Sequence, residues 1–118
     1  MLWFSTVQSW EPTASKGIVI NGKYRTATMR EMKELAGGLV RLGYPQSELT
    51  PWPRLAKEAD IRSRDRKALE KVGKAMGANP LRWHGCFHSI PVSELVVEIM
   101  NEQDQWEPLQ VPNQREAA

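Results

Sequence analysis

The chain reads as an α+β protein: a small N-terminal antiparallel hairpin and sheet packed on a helical segment of about four helices, with one further strand and a C-terminal tail. Three observations predict this. An Asn-Gly pair at residues 21–22 separates two short β-rich runs, apolar residues recur at helical spacing in several stretches beyond Met29, and glycine and proline cut those stretches short. With 118 residues, 41% apolar and 25% charged, the chain can bury a core without a disulfide or a metal. The organisation expected is one α+β domain over residues 1–105, then an extended or flexible tail over residues 106–118.

Leu2, Phe4 and Thr6 alternate with Trp3, Ser5 and Val7, the pattern of a strand covered on both faces, and a loop follows from Pro12 to Lys16. Ile18-Val19-Ile20, Asn21-Gly22 and Lys23-Tyr24-Arg25 form a hairpin signal, because Asn-Gly accepts the positive φ angles of a two-residue type I′ turn. Thr28 and Glu31 have the spacing of a capping box. Met29, Met32, Leu35, Ala36, Leu39 and Leu42 then predict a helix stopped by Gly43, with Gly37-Gly38 inside it marking close packing of another backbone. Prolines 45, 51 and 53 make residues 44–53 a connection. A short helix from Arg54 to Ala59 follows. A longer one runs from Arg64 to Met76, capped by Ser63, stopped by Gly77 and turning Leu69, Val72 and Met76 inward. Leu81 to Ile90 alternates as a strand, and Val92, Leu95, Val96, Ile99 and Met100 form the apolar stripe of a last helix begun by Pro91.

Charge is distributed unevenly. Residues 51–82 hold nine Lys/Arg against four Asp/Glu, while residues 83–118 hold one against six, so a net charge of +2 conceals a dipolar chain. The run from Arg54 to Val72 resembles a helix-turn-helix DNA-binding unit: Leu55, Ala56 and Ala59 pack the first helix, Ile61 covers the turn, and Leu69 and Val72 seat the second helix. That resemblance implies a second helix lying in the major groove with Arg62, Arg64, Arg66 and Lys67 nearest the nucleic acid. Lys71 and Lys74 extend the basic series. Guanidinium groups suit the role because they bond a guanine edge or a phosphate bidentately. Two positions depart from the family pattern: Asp60 stands where glycine is common, and Arg66 near a position usually holding a buried β-branched residue.

His84, Cys86 and His88 are the one metal-like or catalytic constellation. Adjacent same-face strand residues lie roughly 6.6–7 Å apart, too far for compact tetrahedral ligation, and neither a fourth Cys or His nor an orienting group accompanies them. No metal or other cofactor and no catalytic residue is expected, and the protein is read as a non-enzyme. A single cysteine and the lack of a leader or an apolar span predict a soluble, cytoplasmic protein that does not engage membrane.

Two functional readings follow. In the first, a small non-enzymatic DNA-binding or regulatory protein contacts nucleic acid through Arg62, Arg64, Arg66, Lys67, Lys71 and Lys74. In the second, a protein-interaction module, a small accessory or inhibitory protein of a larger macromolecular complex, is anchored by Trp52 and Trp106 and by an acidic helical face of Glu94, Glu98 and Glu102, its basic face meeting an acidic protein surface. Opposed basic and acidic faces also favour association of two copies.

Overall fold

Residues 1–109 are described by a computed structural model of mixed α and β content, with antiparallel strands in three small sheets and three α-helices among the described residues. β1 (Leu2–Ser5) is followed by a 3-10 turn at Pro12–Ala14. β2 (Gly17–Ile20) and β3 (Lys23–Thr26) form the expected hairpin, in register from Gly17↔Thr26 to Ile20↔Lys23. Asn21 and Gly22 carry the positive φ values of the turn, 51° and 75°.

α1 (Met29–Ala36) begins with a true capping box: Thr28 Oγ1 accepts from the Glu31 amide at 3.2 Å, and the Glu31 carboxylate accepts from the Thr28 amide at 3.0 Å. The helix ends earlier than its apolar spacing predicts. Gly37 (φ 75°) and Gly38 (φ 144°) turn the chain, and the Gly38 amide donates to the Lys33 carbonyl at 2.9 Å, so the helical carbonyl is satisfied and propagation stops. Leu42, expected in the helix, lies instead in β4 (Val40–Gly43), and Leu39 in the link to it.

A 3-10 turn at Gln46–Glu48 and β5 (Thr50–Pro51) lead into α2 (Trp52–Glu58). Trp52 is therefore the first residue of a helix rather than part of an irregular link, since Pro53 is tolerated in a first turn. α3 (Ser63–Ala75) follows, with Ser63 inside the helix and Arg62 at the cap position without a side-chain cap bond. A 3-10 turn at Pro80–Arg82 precedes β6 (Trp83–Cys86), which is shorter than the strand expected.

The fourth helix is a misreading. Residues 92–94 make only a 3-10 turn, and β7 (Val96–Met100) pairs antiparallel with β4 on one side and with β8 (Trp106–Pro108) on the other. Val96-Val97 and Ile99 fit a pleated surface as well as a helix face, and the paired neighbours decide for the strand. The expected tail thus begins with a strand at Trp106, and residues 110–118 of it lie outside the described residues.

Two compact units organise these elements. The first joins Met1–Thr26 to Pro45–Ser89. Its sheet has the order β1-β6-β5, with Trp3 opposite Gly85 and Phe4 opposite His84. Its core is Trp52, Leu55, Ala56 and Trp83, with Ile61 and Ala78 packed against it. The ring of Trp52 lies 5.2 Å from that of Trp3 and meets Trp83 edge-on at 5.6 Å. Gly85 has no side chain because Leu55 occupies that place: a Cβ there would lie 2.6 Å from Leu55 Cδ2.

The second unit joins Ala27–Tyr44 to the chain from Ile90 onward and holds α1 and the sheet β4-β7-β8. Arg41 Nε donates to Glu98 at 2.8 Å while its guanidinium lies 4.5 Å over the Trp106 ring. Arg30 and Lys33 of α1 both bond Asp104, at 2.7 and 3.1 Å. These bonds hold the Asp104 carboxyl below its ordinary pKa and raise that of Arg30.

Candidate nucleic-acid interface

Helix α2 ends in a closed turn, and a short link leads from it to α3. The Asp60 amide donates to the Lys57 carbonyl at 3.1 Å and the Ile61 amide to the Ala56 carbonyl at 3.0 Å, a Schellman closure with Asp60 left-handed at φ 56°. Asp60 therefore takes the conformation that glycine would supply, which Asp tolerates better than most residues. Ile61 then drops onto the core, and only residues 59–62 separate the two helices.

The second departure, Arg66, has its own structural answer. Trp52 is 1% exposed, and its indole N–H needs an acceptor. Glu70 supplies it at 2.8 Å, and Arg66 Nε donates to the same carboxylate oxygen at 3.1 Å. The indole bond, then the Arg66 bond, hold the Glu70 carboxyl below its ordinary pKa. A charge-assisted clasp thus joins α2 to α3, so Arg66, half-buried and paired, is a structural residue of the unit as much as a surface cation.

The inward face of α3 is Arg66, Glu70 and Gly73, and this overturns the expectation that Leu69 and Val72 point inward. Both are exposed, at 46% and 60%, and Met76 is half-buried. Two tryptophans decide the orientation: Trp52 needs Glu70 opposite it, and the Trp83 ring lies against Gly73, where a Cβ would sit 2.5 Å from ring carbons. Trp83 is fixed in turn by its N–H bond to Glu11 at 2.9 Å.

With that face inward, Arg64, Lys67, Lys71 and Lys74 form a row within about 80° of one another on the helix surface and about 15 Å long. All four are exposed, and none lies within 4.0 Å of a carboxylate oxygen among the described residues. Arg62 is exposed just before the helix. The unit that carries the row is positive as a whole: Met1–Thr26 holds three Lys/Arg and one Asp/Glu and Pro45–Ser89 nine and five, a net of +6.

The remaining sequence candidates separate. Trp52 is a core residue and cannot anchor a partner at the surface. Trp106 is half-buried in β8, beneath the Arg41 guanidinium. Glu94, Glu98 and Glu102 do not share a helix face: Glu94 ends a 3-10 turn, Glu98 lies in β7 paired with Arg41, and Glu102 follows the strand. His84 is buried, its Nδ1 3.2 Å from the Arg82 carbonyl and its Nε2 3.5 Å from Gln46 Nε2. Cys86 is buried on β6 and His88 is exposed beyond the strand, so the three do not line one face. No group of three His, Cys, Asp or Glu side chains among the described residues could hold a metal ion, and no helix there is long and apolar enough to cross a membrane. No protein-family model, curated protein or solved structure matches the chain.

Proposed function

We propose that this is a small non-enzymatic DNA-binding protein, regulatory in role, that engages duplex through the α2–turn–α3 segment. The single observation carrying the reading is the exposed row of Arg64, Lys67, Lys71 and Lys74 on α3, none of them ion-paired within 4.0 Å among the described residues, mounted on a helix clasped to its neighbour. A row of cations about 15 Å long matches several successive phosphates, and releasing their counterions supplies affinity without sequence information. Arg62, at the start of α3 and outside that row, is the residue suited to base edges.

The test is binding of a labelled random-sequence duplex, and of single-stranded DNA, followed by fluorescence anisotropy across a salt series. Four phosphate contacts correspond to a slope of about −3.6 in log affinity against log salt, and Lys67→Ala with Lys71→Ala reduces its magnitude by about 2. Salt-independent binding, or an unchanged slope in the double variant, refutes the reading. A protein partner with an acidic surface is the second reading, favoured by the exposure of Leu69 and Val72 on the same helix as the basic row. Under it, partner capture survives nuclease digestion.

A further inference from the structure

The β2–β3 hairpin is not explained by the packing of its unit. Every residue of its two strands except Ile18 is exposed, with Val19 at 68% and Tyr24 at 75%. The register places Ile18, Ile20, Lys23 and Arg25 on one face and Gly17, Val19, Tyr24 and Thr26 on the other, so neither face is covered. A lone two-stranded ribbon is marginal in water. This one is held by its Asn21-Gly22 turn and by the Tyr24 ring lying across Gly17, where any side chain would collide with it. Its charge is of one sign: Pro12 through Thr26 includes Lys16, Lys23 and Arg25 and no Asp or Glu.

The root of the ribbon is tied to α3. Thr13 and Trp83 both donate to Glu11 at 2.9 Å, and the Thr13 methyl lies 3.7 Å from where a Gly73 Cβ would stand. Gly17 follows four residues later, within about 14 Å, and the strands extend about 13 Å further. That total is less than one turn of B-DNA, about 34 Å, and a two-stranded ribbon is of a size that the major groove, about 12 Å wide, admits.

We propose that the β2–β3 ribbon is a second DNA-contacting element, which sets Lys23 and Arg25, side by side on one face, against the phosphates of the same duplex that α3 engages. This rests on the reading of α3 as a duplex-binding helix and extends that interface to a second element.

The experiment measures anisotropy of a labelled 20-base-pair random duplex between 50 and 200 mM salt for the full chain, for Lys23→Ala with Arg25→Ala, for Lys67→Ala with Lys71→Ala, and for the quadruple variant. Six contacts predict a fall in affinity of about 10³ across this range, four contacts about 10², and two about 10-fold. Circular dichroism of each variant should match the parent, since the substituted side chains are exposed. A ribbon variant with the parental salt dependence overturns the ribbon proposal while leaving α3 standing. Loss confined to the ribbon variant retains the ribbon and overturns the α3 reading, and absence of duplex binding by the full chain overturns both. Trypsin provides an independent readout: duplex should protect the bonds after Lys23 and Arg25, and undiminished cleavage under saturating duplex overturns the proposal.

Discussion

Gly73→Ala tests the packing that orients α3. In an ordinary helix interior this change stabilises by about 1 kcal/mol, because alanine has the higher helix propensity. Here the new methyl would stand 2.5 Å from Cη2 and Cζ2 of Trp83, about 1 Å inside normal carbon contact. The ring cannot swing aside, being 8% exposed, bonded to Glu11 and edge-on to Trp52. Overpacking of this kind costs about 1–3 kcal/mol, so it outweighs the propensity gain and leaves a net loss of roughly 1 kcal/mol. For a chain of 118 residues that lowers the midpoint by about 4 °C. Thermal and urea unfolding followed by tryptophan fluorescence would read it. In a Trp83→Phe background, which removes the offending ring carbons, the same glycine change should become neutral or stabilising. A more stable Gly73→Ala in the native background would refute the argument that the indole fixes the rotation of α3, and with it the placement of the basic row.

Two further outcomes follow from the α2–α3 clasp and its turn. Glu70 is held below its ordinary pKa in the folded chain, so its stabilisation is complete above about pH 4.3 and is lost as pH falls through the lower folded value. Glu70→Gln should therefore be less stable than the parent at pH 7, with the gap narrowing as pH falls below the ordinary carboxylate range in urea unfolding, and a gap independent of pH would dismiss the clasp. Asp60→Gly relieves a left-handed residue and should raise stability by about 0.5–1 kcal/mol, seen as a higher urea midpoint. A loss on that substitution would mean that the Asp60 side chain contributes something beyond its backbone angle.

What could be read in the residues is what local chemistry decides. The Asn21-Gly22 turn, the Thr28–Glu31 box, the Asp60 turn and the two helices around it depend on neighbours a few positions away, and the structure has each of them. The α+β class follows from those elements together. β7 was not legible, because Val96 to Met100 satisfies a helical stripe and a pleated edge alike, and the choice lies with β4, more than fifty residues earlier. The orientation of α3 was hidden for a related reason. Leucine and valine ordinarily turn inward, but large rings at positions 52 and 83 need a carboxylate and a bare backbone opposite them, which Glu70 and Gly73 provide. The basic row was visible as a cluster in the sequence, and its alignment on one side required knowing which face those rings had claimed.

The pairing of β1 with β6 has a consequence for biosynthesis. Leu2 must wait for Cys86, and at about 5–20 residues per second the nascent N-terminal strand remains unpaired for roughly 4–17 s. Meanwhile residues 27–44, which belong to the other unit, emerge between the two halves of the first and must wait for their own partner strand beyond residue 95. Neither unit can be excised as a contiguous fragment. A chain woven in this order should depend on translation speed and on holding chaperones more than its modest length would suggest.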